Sequence, residues 1–135
     1  MSDKKTIGIV GLGYVGLPLA VAFAEAGHDV VGIDSDRRKV DGINAGRSHV
    51  EDIAEETLRA LGSRLRATAE EGDLAPCDAV IICVPTPLTN SREPDLTYLL
   101  ASATSLSRVL RSGQVVVLES TTYPGTTRER LRPIL

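Results

Sequence analysis

Tryptophan is missing from this chain of 135 residues, and phenylalanine occurs once beside three tyrosines. That leaves too few aromatic faces for a platform on which single-stranded bases would stack. Two cysteines are too few for a disulfide scaffold. Cys77 and Cys83 stand at no metal-ligand spacing with His28 and His49, so no metal site is expected. A reducing cytoplasm is the default compartment. A basic surplus is absent as well: the net charge of −3 argues against a nucleic-acid partner held by a basic patch. What is present is globular usage, 42% apolar and 24% charged, at the length of one domain. No repeat, low-complexity tract or linker divides it.

One segment imitates a membrane span. Lys4 and Lys5 precede an uncharged run from Ile7 to Ala24. Gly8, Gly11, Gly13, Gly16 and Pro18 interrupt that run, and Glu25, His28 and Asp29 follow it at once. Each glycine would weaken a continuous helix by roughly 1 kcal/mol relative to alanine. A strand, a tight turn and a helix account for the run better, and no membrane partner is expected.

Strands then alternate with helices. Thr6–Val10 is β-rich and breaks at Gly11; Tyr14–Ala26 is apolar almost all round, as a helix buried on a sheet should be, and Gly27 stops it. Asp29–Ile33 is a second strand, followed by a helix from Asp36 to Ala45 that Gly46 ends. Arg47–Ser63 holds a short helix with Leu58 and Leu61 on one side, and Leu65–Thr68 is a weak third strand. Asp78–Val84 is a nearly unbroken apolar run, the mark of a strand covered on both faces, and Pro85 and Pro87 end it. Leu96, Leu99, Leu100, Ala103, Leu106 and Leu110 share one face of a helix from Asp95 to Arg111. Gln114–Leu118 is the fifth strand, and Arg128–Leu135 begins a further helix. This alternation predicts an α/β fold: a doubly wound, Rossmann-like parallel sheet in strand order 3-2-1-4-5 with helices on both faces. A ligand belongs beyond the carboxyl ends of strands one and four, where the order reverses.

Gly11-Leu12-Gly13-Tyr14-Val15-Gly16 matches the dinucleotide fingerprint G-x-G-x-x-G. Alone that match is weak, and a glycine turn that only packs is its bland rival. Its context is specific: the turn follows a strand, opens a helix, and has an acid, Asp34, at the end of the next strand. Gly11 permits the turn, Gly13 lets the backbone approach a pyrophosphate, and Gly16 lets helix and strand pack closely. Amides at the helix start then hold phosphate. Asp34 can accept from both hydroxyls of the adenosine ribose and would repel a 2′-phosphate, which favours NAD. Arg37, Arg38 and Lys39 could instead welcome NADP, but screened surface cations weigh less than an acid at the strand tip.

Three segments together go further: Gly-Leu-Gly-Tyr-Val-Gly-Leu-Pro-Leu-Ala at 11–20, Cys83-Val84-Pro85-Thr86-Pro87, and Glu119-Ser120-Thr121-Thr122-Tyr123-Pro124-Gly125-Thr126-Thr127. In order and spacing they resemble the UDP-glucose/GDP-mannose (nucleotide-sugar) dehydrogenase family along essentially the whole chain. Pro-Thr-Pro-Leu-Thr-Asn-Ser-Arg-Glu-Pro-Asp-Leu at 85–96 is most similar to the branch that oxidises UDP-N-acetylhexosamines. The resemblance implies oxidation of a sugar C6 hydroxyl to a carboxylate with two NAD, through a cysteine-bound intermediate. It implies that Gly11, Gly13, Tyr14, Val15, Gly16 and Asp34 bind NAD, with Lys39 near the adenosine ribose. Val84, Pro85, Thr86, Ser120 and Thr121 would line the cofactor's reacting side. Thr121 would carry the catalytic role of placing a water, which suits a neutral hydroxyl at a strand end.

The family's catalytic cysteine, lysine, asparagine and further acids fall after residue 135. Residues 1–135 therefore read as the dinucleotide-binding domain of a longer, homo-oligomeric enzyme, inactive alone. Cys83 sits in an apolar strand and, like Cys77, reads as packing. His28 and His49 read as surface residues, and Glu119 as a strand-closing charge. Two rivals stay open: a stand-alone NAD-binding regulatory module, and the first domain of another NAD enzyme such as a 3-hydroxyacid dehydrogenase.

Overall fold

The computed structural model describes residues 4–51, 53–83 and 97–118. In chain order its elements are β1 (Thr6–Val10), α1 (Gly16–Glu25), β2 (Asp29–Ile33), α2 (Arg37–Asn44), α3 (Glu55–Leu61), β3 (Leu65–Thr68), β4 (Ala79–Ile82), α4 (Thr97–Leu106) and β5 (Val115–Leu118). The five strands form one sheet in the order β3-β2-β1-β4-β5, every pairing parallel. This is the doubly wound order that the alternating pattern predicts. Val10 pairs with Ile33 on one side and with Ile82 on the other, so three strands finish level at one edge.

Both faces of the sheet are buried, as continuous apolar strands require. Ile7, Ile9, Val30 and Ile81 join Leu17, Ala20, Val21 and Ala24 of α1 in one core, which also takes in Val40, Ile43, Leu58 and Leu61. Val10, Val31, Ile33, Val80 and Ile82 point the other way, onto Leu74, Cys77, Ala103 and Leu106. Side chains such as Ile9 and Ile82 are fully excluded from water, each stabilising by about 1.5–3 kcal/mol. β5 is only partly covered: Val115 and Val117 are exposed, while Val116 and Leu118 pack on the second core. Among the described residues it is one edge of the sheet, β3 being the other, and the predicted helix at Arg128–Leu135 lies outside them.

Among the boundaries that differ from the sequence pattern, two have local reasons. α1 begins at Gly16 rather than Tyr14, because Pro18 has no N–H for Tyr14 O and the continuous ladder starts with Leu19 N–H on Val15 O at 3.2 Å. α4 stops at Leu106, although the leucine period runs on to Leu110. There the Ser107 hydroxyl donates to Thr104 O at 2.6 Å, a side-chain alternative to the helical ladder. β3, the weakest strand by sequence, is held by Asn44 of α2. The Asn44 Nδ2 donates to Ala67 O at 2.8 Å and its Oδ1 accepts from Ala67 N–H at 2.9 Å. A single amide side chain thus satisfies both backbone groups on the outer side of an edge strand.

Candidate dinucleotide site

The turn after β1 is built around backbone that only glycine supplies cheaply. Gly11 has φ of 96° and donates to Ile33 O at 2.7 Å, which folds the chain over the end of β2. A Cβ on Gly16 would lie 1.6 Å from Gly11 O and 3.3 Å from Cys83 Cβ, so α1 meets the turn and β4 with no room for a side chain. Gly13 is the opposite case: a Cβ there would meet nothing within 4 Å. The amides of Tyr14, Val15 and Gly16 precede the first helical bond. Among the described residues no side chain caps them, and the first turn carries no acid. Tyr14 and Val15 are exposed beside this opening. Pro18 is the third residue of α1, and without an N–H it cannot supply the rung to Tyr14 O between Leu17 N–H on Gly13 O and Leu19 N–H on Val15 O.

Asp34 follows β2 at the same sheet edge and is half-buried. Its Oδ2 accepts from Leu12 N–H and its Oδ1 from Asp36 N–H, each at 2.9 Å. The carboxylate is therefore tied to the glycine turn itself. Each oxygen keeps lone-pair capacity for a further donor such as a ribose hydroxyl. Asp36 caps α2, its Oδ1 accepting from Arg38 N–H at 3.0 Å. That hydrogen bond, with the charges of Arg38 and Lys39, holds the Asp36 carboxyl below the usual carboxylate range. Arg38 Nε lies 3.6 Å from Asp36 Oδ1, and Arg37 lies 3.8 Å from Glu70. The arginines that sequence reading left open to a 2′-phosphate thus already face carboxylates. Lys39 is half-buried in the first turn of α2.

Other expectations divide. Cys77 and Cys83 are both buried. Burial first, then the negative charge of Asp78, pushes the Cys77 thiol up to about 11, so it is a packing group and not a nucleophile. Cys83 N–H donates to Val10 O at 2.7 Å, locking the chain where β4 ends. His28 is half-buried instead of lying free on the surface: its Nδ1 accepts from Lys5 N–H at 3.0 Å and its ring meets Phe23 edge-on. His49 is exposed, as expected, yet its Nε2 is hydrogen-bonded to Leu12 O in the glycine turn. That contact went unread in the sequence, where a loop histidine carries no sign of what it reaches. Val84, Pro85, Thr86, Glu119, Ser120 and Thr121 lie outside the described residues. Among the described residues there is no group of three or more His, Cys, Asp or Glu able to hold a metal ion. No helix among them is long and apolar enough to cross a membrane.

Residues 5–135 match the model of the UDP-glucose/GDP-mannose dehydrogenase family, NAD binding domain. An NDP-N-acetyl-D-galactosaminuronic acid dehydrogenase of Ralstonia nicotianae is 45% identical over 130 residues, covering 94% of this chain and 30% of that protein. A UDP-N-acetyl-D-glucosamine 6-dehydrogenase of Salmonella typhi is 41% identical over 98% of this chain and 31% of its own length. The chain thus spans about a third or less of the curated relatives it matches. Among solved structures, a UDP-glucose dehydrogenase from Pyrobaculum islandicum superposes with a TM-score of 0.91 at 36% identity, over 98% of this chain and 32% of that one. A (S)-3-hydroxybutyryl-CoA dehydrogenase from Ralstonia eutropha, at 20% identity and a TM-score of 0.62, shares the fold alone.

Proposed function

This chain belongs to the UDP-glucose/GDP-mannose dehydrogenase family as its NAD binding domain, and from that premise we propose that it is the cofactor half of a nucleotide-sugar 6-dehydrogenase. The substrate class is a UDP-N-acetylhexosamine, the class named for several relatives. Its C6 hydroxyl is oxidised by four electrons to a carboxylate, with water supplying the second oxygen. Bound NAD⁺ supplies the hydride acceptor, two equivalents per sugar.

The chain's own residues bind and orient. The amides of Gly13, Tyr14, Val15 and Gly16 face the diphosphate, and the open space at Gly13 is what close approach of a phosphate needs. Asp34 accepts from the adenosine ribose hydroxyls, and Lys39 lies beside that ribose. Tyr14 and Val15 cover the cofactor with apolar surface. Val84, Pro85, Thr86, Ser120 and Thr121 complete the reacting side, with Thr121 orienting water. A cytoplasmic homo-oligomer, with neither nucleic acid nor membrane as partner, belongs to the same reading.

One observation carries it: Asp34 Oδ2 is 2.9 Å from Leu12 N, so the sugar acceptor and the phosphate cradle form one unit. A 2′-phosphate would meet the Asp34 carboxylate. In calorimetry NAD⁺ should bind at least about tenfold more tightly than NADP⁺, or roughly 1.4 kcal/mol. Equal or tighter binding of NADP⁺ would overturn the cofactor assignment.

A further inference from the structure

We propose that His49 is a positioning residue for the diphosphate-binding turn: its Nε2–H holds the Leu12 carbonyl and thereby sets the direction of the Gly13 amide. The inference rests on the reading of that turn given above. Leu12 C=O and Gly13 N–H are the two ends of one peptide plane, and in a trans peptide they point in opposite directions. A donor fastened to the carbonyl from the α2–α3 loop therefore turns the Gly13 N–H away from that loop. A flipped plane would present the Leu12 carbonyl oxygen in place of the Gly13 N–H and repel an anion.

Leu12 is held at three points. Its N–H is taken by Asp34 Oδ2 at 2.9 Å, and its carbonyl by His49 Nε2. Its side chain is fully buried, so close to β2 that a Cβ on Gly32 would fall 2.7 Å from Leu12 Cδ2. Gly13, next in the chain, is held by its carbonyl, which accepts from Leu17 N–H at 3.1 Å, while nothing lies within 4 Å of its missing side chain. The peptide plane that carries the Gly13 N–H is fastened at its other end, the Leu12 carbonyl, by His49.

The loop that offers His49 is itself braced. Arg47 N–H donates to Gly42 O at 2.7 Å, which pins the loop to α2. Ser48 Oγ donates to Val50 O at 2.7 Å and accepts from Val50 N–H at 3.2 Å, and Val50 is buried in the α1-side core. An exposed imidazole on an anchored loop is thus presented to one carbonyl. The Nε2–H tautomer and the imidazolium both donate there; the Nδ1–H tautomer does not.

The test compares His49→Leu, which removes the donor, with His49→Gln, whose amide can replace it. Calorimetry reads ADP, NAD⁺ and adenosine, the last having no phosphate. Expected is a loss of about five- to tenfold for ADP and NAD⁺ in His49→Leu, with adenosine unchanged and His49→Gln within about twofold of wild type. Wild-type ADP affinity in His49→Leu overturns the inference. So does a His49→Gln protein as weak as His49→Leu, or adenosine falling in step with ADP, which would mark a general structural role. Asp34→Asn run alongside separates the two levels. Undiminished NAD⁺ affinity in that variant overturns the site itself, whereas loss there with none in His49→Leu overturns only the role of His49.

Discussion

Replacing Gly16 by alanine should cost about 3 kcal/mol or more in stability, the range of severe overpacking. The new Cβ would lie 1.6 Å from Gly11 O and 2.8 Å from Gly11 C. Both are backbone atoms, so no side chain can swing aside. Gly11 cannot yield either: it sits at φ of 96° with its N–H on Ile33 O at 2.7 Å. The only relief is for α1 to lift off the sheet, which opens the core around Leu17, Ala20 and Ala24. Moving α1 also displaces the amides at its start, so cofactor affinity should collapse together with stability. Denaturant unfolding with a parallel NAD⁺ titration checks both. A Gly16→Ala protein with wild-type unfolding would mean that helix and turn do not meet as described.

Asp34→Ala should lower NAD⁺ affinity by about tenfold to a hundredfold, since charge-assisted hydrogen bonds to two ribose hydroxyls disappear. Its half-buried carboxylate also accepts from Leu12 N–H and Asp36 N–H, each at 2.9 Å. Stability should therefore fall too, by about 1–3 kcal/mol for the two amides left without an acceptor. Removing the acid that a 2′-phosphate would face should narrow the preference for NAD⁺ over NADP⁺. Calorimetry with both dinucleotides, beside a melting curve, separates the effects. Undiminished NAD⁺ affinity would remove Asp34 from the ribose.

Most of this architecture was written in local pattern. β1 and β2 fall on the residues that the apolar runs mark, because buried parallel strands have no polar face to blur their limits, while β3 keeps its expected bounds although it alternates Leu65 and Ala67 inward with Arg66 exposed. The parallel order follows from alternation, and the glycine turn from its place between strand, helix and acid. What stayed hidden depends on contacts distant in sequence. Nothing near Asn44 announces that its amide clasps Ala67, and nothing near His49 announces that it holds Leu12. His28 has no partner carboxylate at a telling spacing and so reads as a surface residue, yet its ring meets Phe23 and its Nδ1 accepts from Lys5 N–H. Such contacts arise only when separate elements converge: α2 and its following loop at the sheet edge, and the α1–β2 turn beside the start of β1.

Everything turns on whether the amides at the start of α1 take the diphosphate. An amide-resolved NMR titration with ADP reads them one by one. The account predicts the largest shifts at Gly13, Tyr14, Val15 and Gly16, with smaller ones at Leu12 and Asp36 around Asp34. Shifts concentrated instead in the cleft of about 350 Å³ lined by Ile43, Gly46, Leu58 and Arg66, with the glycine turn silent, would contradict it.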